Sequence, residues 1–229
     1  MEKHADPRDN AHRLFEIAVG QGGLFTARQA CEAGYYYRLQ THHRQAGTWL
    51  SEGRGLFRLR NYPYEHPHED LIKWSLWSHD RKGVPQIVFS GQTALAYYNL
   101  GDFNPAKLYV TVPSSFRKAF SGGFVVQRGI VMPGDYRENT AFRVTTPRRT
   151  CIDAMQSNAY DYDHLYRALV DAASRGLVGV ADLRAGVITS EMKELVDAVE
   201  RRIRERMANV MKSIHGTNIP VGDGVPTGA

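Results

Sequence analysis

At 229 residues, with 42% apolar and 23% charged side chains, the chain has the make-up of a folded globular protein, with room for one large domain or two small ones. A formal charge of +5 and a pI near 9.2 tilt the partner toward something anionic, and no apolar run approaches the length that crosses a bilayer. The polar start "MEKHADPRDNAHRLF" has no apolar signal core, and Cys31 and Cys151 lie far apart in no metal-type spacing, so a soluble cytoplasmic protein is expected.

In chain order, "PRDNAHRLFEIAVGQGG" predicts a helix with Leu14, Ile17 and Ala18 on one side and Gly22-Gly23 at its end. "FTARQACEAG" predicts a second, short helix, with Thr26 suited to its N-cap and Gly34 to the left-handed position past its end. "YYYRLQTHHRQAG" predicts a third, closed by Gly47. In "TWLSEGRGLFRLR" the period changes, and two short strands flank a Glu52-Gly53-Arg54-Gly55 turn. Three helices followed by a hairpin is the order of a winged helix-turn-helix.

Two prolines and few apolar groups place a linker over residues 61–68. After it come an amphipathic helix in "EDLIKWSLWSHD", a strand in "QIVFS" leading to Ser90, and a helix in "GQTALAYYNLG". "KLYVTVP", "GFVVQRGIV" and "AFRVTTP" predict strands, rich in Val, Phe and Tyr and bounded by Gly or Pro. Helices follow in "RRTCIDAMQS", "YDHLYRALVDAASRG" and "VGVADLRAGV", then a long one in "SEMKELVDAVERRIRERMANVMKSIHG" with Leu195, Val199 and Ile203 in register. The expected organisation is an N-terminal domain over 1–63, a second domain over 64–215 and a disordered Gly/Pro-rich tail over 216–229.

The third helix carries the nucleic-acid signal. With Leu39 taken as inward, a turn of about 100° per residue puts Tyr35, His43 and Ala46 on the same side. The opposite side then shows Tyr37, Thr41 and Arg44, flanked by Arg38, Gln40 and Gln45, all but Tyr37 plain hydrogen-bonding or charged groups. Between Arg28 and Arg60 six arginines (Arg28, Arg38, Arg44, Arg54, Arg58, Arg60) face two acids, Glu32 and Glu52, an excess of the kind phosphate contacts require. Arg54, between two glycines at the hairpin tip, suits a minor groove, whose negative potential attracts arginine. The expected DNA-contacting set is therefore Arg28, Tyr37, Arg38, Gln40, Thr41, Arg44, Gln45, Arg54 and Arg58.

Enzyme readings find no support in the motifs. Asp182 with Glu191 and Lys193 has the residue types of a magnesium nuclease, yet Glu191 and Lys193 open a helical run rather than sharing a strand face. No Gly-rich loop leads into Gly-Lys-Ser/Thr, and no Gly-x-Ser-x-Gly occurs. His66 and His68 stand in a proline-rich linker without further ligands. The expectation is no catalytic residue, no cofactor and no metal.

The stretches "GGLFTARQACEAG", "GRGLFRLRNYP", "VFSGQTALAYYNLGDFNPAKLYVTVP" and "RVTTPRRTCIDAM" together resemble the antitoxins of the AbiE abortive-infection systems, a type IV toxin–antitoxin class. The likeness runs over most of residues 10–190. It implies an α+β fold: an N-terminal winged helix-turn-helix, a larger mixed α/β antitoxin-type domain, and here a C-terminal helix that the likeness does not cover. It also implies repression of the protein's own operon through double-stranded DNA, and opposition to a nucleotidyltransferase-like toxin. In "TTPRRTCID", Pro147 ends a strand, and Thr150 with Asp153 has the spacing of a helix cap. Arg117, Lys118, Arg143, Arg148 and Arg149 are the candidates for a second basic face that meets a toxin or an RNA. The alternative is a protein-interaction module whose N-terminal domain is a docking surface that does not touch DNA, with the C-terminal helix (Arg201, Arg202, Arg204, Arg206) as its natural docking element.

Overall fold

The structure, a computed structural model, describes residues 7–63, 66–120, 122–157 and 159–216. Helix α1 (Pro7–Val19) buries Leu14 and Ala18, one turn apart, with Ile17 packed beside them. The chain does not then go straight into the second helix. Leu24 and Phe25, both fully buried, first form a short strand, β1 (Leu24–Thr26), and Thr26 ends that strand while capping α2 (Ala27–Glu32). The cap is reciprocal: the Gln29 N–H donates to Thr26 Oγ1 at 3.2 Å, and the Thr26 N–H donates to Gln29 Oε1 at 2.8 Å. At Gly34 the backbone takes φ 98°, and a Cβ there would stand 2.6 Å from the Asn10 side chain, so this turn admits only glycine.

After α3 (Tyr37–Gln45), β2 (Trp49–Gly53) and β3 (Leu56–Leu59) make the expected hairpin, and β3 also pairs with β1, in the antiparallel order β1-β3-β2. Leu14, Ala18, Phe25, Ala30, Ala33, Trp49 and Phe57 close one core, with the Phe25 ring edge-on to Trp49 at 4.8 Å.

Helix α4 (Glu69–Ser78) packs on β1, and charged pairs join it to the hairpin: Arg58 to Glu69, and Lys73 Nζ to Glu52 at 2.8 Å. A five-stranded sheet follows in the order β6-β5-β4-β8-β7, built from β4 (Val88–Phe89), β5 (Leu108–Val112), β6 (Phe124–Arg128), β7 (Tyr136–Glu138) and β8 (Arg143–Thr145). It is mixed: β4 and β5 are antiparallel, as are β7 and β8, while β5 with β6 and β4 with β8 run parallel. Helix α5 (Gly91–Tyr97) packs against β5, and the Thr93 hydroxyl accepts the Tyr109 N–H at 2.7 Å. Trp74 and Trp77 of α4 gather Phe116, Phe120 and Phe124 into an aromatic cluster.

The cap expected at Thr150 sits elsewhere. Helix α6 (Pro147–Met155) already starts at Pro147, where a missing N–H costs nothing, and Thr146 Oγ1 accepts the Arg149 N–H at 3.2 Å. Thr150 is fully buried inside the first turns, its hydroxyl donating to the Thr146 carbonyl at 2.8 Å.

The chain divides into two compact units, Met1–Thr150 and Cys151–Ala229, adjoining in sequence within α6. In the second unit α7 (Tyr162–Ser174) and α8 (Val180–Ala185) pack on α9 (Ser190–Gly216) through Leu165, Leu169, Leu183, Leu195 and Val199, all buried. Arg184 ties α8 to α9 through Asp197, at 2.8 Å, and Glu200. Beyond Val199 the exposed Met207 and Val210 continue the apolar stripe of α9. The tail that follows lies outside the described residues. The class is α+β, helices together with two separate sheets. Among the described residues no helix is long and apolar enough to cross a membrane.

Candidate nucleic-acid interface

Which side of α3 faces outward is settled by a polar residue. Gln40 is 3% exposed, and its amide donates to the carbonyls of Ala27, at 2.9 Å, and Tyr35, at 2.7 Å. The Tyr35 carbonyl belongs to the α2–α3 connection and that of Ala27 to the first residue of α2, so one side chain ties the start of α2 to the entry of α3. An apolar side chain at position 40 would lose both bonds, at about 1–3 kcal/mol for a carbonyl left unpaired out of reach of water. The helix is therefore rotated away from the expected phase. Leu39, expected inward, is 45% exposed, and Gln40, expected among the DNA contacts, is sealed. Half-buried His43 shares the inner side and stacks on Trp49 at 4.8 Å. Burial, then the neighbouring His42, lowers its pKa, so it packs as a neutral ring.

The outer side presents Tyr37, Arg38, Thr41, His42, Arg44 and Gln45, all exposed, together with Leu39, whose apolar character points inward in the sequence pattern. Strand β2 packs along α3, and the hairpin turn is fastened to the start of α2 by the Ala27 N–H donating to the Gly55 carbonyl at 2.8 Å. Two hollows result. Thr41, Arg44, Gln45, Trp49 and Ser51 line one of about 270 Å³. Arg28, Tyr37 and Arg54 share the other, of about 240 Å³, with Trp77, His79 and Lys118. The side chains of Arg38, Arg44 and Arg54 make no hydrogen bond or ion pair among the described residues; Arg44 lies 6.0 Å from the Phe57 ring.

Two other arginines of the expected set are already engaged. Arg58 is half-buried between Glu52, at 2.9 Å, and Glu69. Burial opposes its charge, and the bonds to Glu69 and Glu52 more than offset that, so its pKa is raised. It braces the hairpin against α4, its guanidinium committed to two carboxylates. Arg28 donates from Nε to Glu32 at 2.7 Å and from Nη1 to the Arg81 carbonyl, while its side chain stays 49% exposed.

The expected second basic face is mostly tied into the fold. Arg143 bonds Glu138 at 2.8 Å and the Pro85 carbonyl at 3.1 Å, and Arg149 pairs with Asp135 at 3.2 Å. Lys118 donates to the His79 carbonyl at 2.8 Å, and Arg117 to that of Ser114 at 2.9 Å. Arg148 is exposed on α6.

Elsewhere, the His66 Nδ1 accepts the His68 N–H at 3.1 Å, and the His68 ring lies 4.9 Å from that of Tyr97, beside a hollow of about 580 Å³. Asp182 accepts the Gly179 N–H at 3.3 Å at the head of α8, and Glu191 lies in the first turn of α9. Among the described residues no three His, Cys, Asp or Glu side chains are grouped to hold a metal ion.

Neither a family model nor a curated protein sequence matches the chain. Among solved structures, the crystal structure of the RV2827C protein from Mycobacterium tuberculosis is similar at a TM-score of 0.46 and 13% identity, over 84% of this chain and 82% of that one.

Proposed function

We propose that this protein is a cytoplasmic, non-catalytic DNA-binding antitoxin. Its first sixty residues act as a winged helix-turn-helix that represses its own operon, and the rest of the chain opposes a nucleotidyltransferase-like toxin. The observation that carries the DNA half is the outer side of α3. Arg38 and Arg44 stand there, and Arg54 at the hairpin tip shares a hollow with Tyr37 of the same helix; all three arginines are exposed and uncommitted to any acid among the described residues. Cations held out from a rigid helix and hairpin are what a duplex backbone and groove require. Arg38, Arg44, Gln45 and Thr41 read the major groove in this arrangement, and Arg54 enters the adjoining minor groove. The antitoxin half rests on the sequence resemblance.

The test is fluorescence anisotropy with a labelled duplex from the region upstream of the gene. Binding falls steeply with salt, and Arg44→Ala with Arg54→Ala weakens it by about 2–4 kcal/mol while leaving the unfolding midpoint in place. Full retention of affinity by that double variant removes the assignment of the site.

A second reading has its own observation. Tyr36, Tyr37 and Leu39 are 71%, 73% and 45% exposed, an apolar edge suited to a protein partner. If the module docks protein instead, no duplex binding appears even at low salt, and the Arg44/Arg54 variant keeps its partner.

A further inference from the structure

The segment after α4 brings a second set of cations to the edge of the proposed DNA face. His79–Val84 forms a tight reversal: the Asp80 N–H donates to the Val84 carbonyl at 3.0 Å, and the Gly83 N–H donates to the Asp80 carbonyl at 3.1 Å. The only acid of this loop faces its own backbone. Asp80 Oδ1 accepts the N–H groups of Lys82, at 2.7 Å, and Val84, at 2.9 Å. The two residues at the tip, Arg81 and Lys82, are exposed, and neither side chain makes a hydrogen bond or ion pair among the described residues.

The loop is fixed to the DNA-facing module at several points. Arg28 of α2 donates to the Arg81 carbonyl from one arm of its guanidinium while Glu32 holds the other. Gly83 sits at φ 84° with Arg28 close by: a Cβ would meet the guanidinium Nε at 3.4 Å. Lys118 holds the near end of the loop through the His79 carbonyl at 2.8 Å. Asp80, Gly83 and His79 therefore line one wall of the cleft whose other wall carries Arg28, Tyr37 and Arg54. That cleft joins the loop to the start of α3 and to the hairpin tip.

We infer that the Arg81–Lys82 tip is a second phosphate-binding element, held beside the start of α3 by Arg28, so that the DNA footprint runs past the first sixty residues into the body of the first unit. Arg28 is in this arrangement a positioning residue: its donors are turned to Glu32 and to the loop backbone, and the phosphates are met by the two side chains that it places. The inference rests on the DNA-binding reading above and adds a prediction of its own. Phosphate contacts carry no sequence information, so the loop contributes affinity and salt dependence without discrimination between sequences.

The experiment measures affinity against salt for the full-length chain and for Arg81→Ala/Lys82→Ala, on the upstream duplex and on a scrambled duplex of equal length. Losing two phosphate contacts lowers the slope of log affinity against log salt by about 1.8, so that between about 50 and about 200 mM salt the parent loses roughly twelvefold more affinity than the variant does. The ratio of upstream to scrambled affinity stays at the parent value, and Arg81→Lys/Lys82→Arg restores the slope. An unchanged slope in the alanine variant, with a parent that binds, overturns this inference alone, and so does a drop confined to the upstream duplex. A parent that binds neither duplex overturns the DNA-binding reading, and this inference with it.

Discussion

The tip and the base of one hairpin hold the same residue type in opposite conditions. Arg54 stands exposed at the tip, with no acid among the described residues near enough to pair. Arg58, four residues along, lies with 17% of its side chain exposed between Glu52 and Glu69, and Lys73 completes the group on the far side of Glu52. What separates them is a carboxylate that lies far along the chain. Glu69 belongs to the helix after the hairpin, so the density of arginines over residues 28–60 overstates the charge available to a phosphate. Arginine in a half-buried pair holds two pieces of the fold together, and arginine without a pair is what a nucleic acid meets.

The sharpest way to break this contrast is to remove each arginine in turn. Arg58→Ala leaves Glu52 and Glu69 half-buried against each other without their shared cation, and is expected to cost about 3 kcal/mol of unfolding free energy in urea titration. Arg54→Ala is expected to change that free energy by less than about 0.5 kcal/mol. Equal losses for the two would mean that tip and base are not distinguished by pairing.

Gln40 and its neighbour Leu39 give the next largest effect, with the usual order of polar and apolar reversed. Gln40→Ala strips the donors from the Ala27 and Tyr35 carbonyls and is expected to cost about 2 kcal/mol, whereas Leu39→Ala, on the exposed side, costs under about 0.5 kcal/mol. The same unfolding measurement on the two variants decides it. A larger loss at Leu39 would restore the rotation of α3 that its sequence pattern suggests.

That rotation marks where the sequence stops being readable. The long elements announce themselves: Leu14 with Ala18 in α1, the Leu195–Val199 spacing in α9 and the β-branched run "LYVTV" each repeat with the period of the element that they form. Gly34 and the Thr26 cap were legible because backbone chemistry leaves few residues fit for those places. Strand β1 was not, since Leu24–Thr26 becomes a strand only when β3, some thirty residues later, supplies its hydrogen bonds. Strand β7 is three residues long and mostly polar, too short for alternation to show. In the candidate site, the arginines that the sequence concentrates over residues 28–60 include the exposed Arg38, Arg44 and Arg54. The places of Gln40 and Arg58 depend on the Ala27 and Tyr35 carbonyls and on Glu69, which only the folded chain brings near.

Acid supplies the mildest probe of the hairpin base. The Lys73 ammonium, then Arg58, lower the pKa of Glu52 below its ordinary 4.5 against the opposing pull of burial. The folded chain thus holds this carboxylate ionised at pH values where the unfolded chain has begun to protonate it. The contribution to stability is complete above about pH 4.5 and declines as pH falls toward the lowered value, because the unfolded state binds more protons over that window. Urea unfolding at pH 7 and at successive steps below pH 5 reads the decline, and Glu52→Gln is expected to flatten part of it while lowering stability at pH 7. Arg54→Ala is expected to leave the acid profile as it is, since no carboxylate among the described residues pairs with the tip. A profile that Glu52→Gln does not alter would show that the base of the hairpin is held by packing of its apolar residues, Leu56 and Phe57, and not by the charges around Arg58.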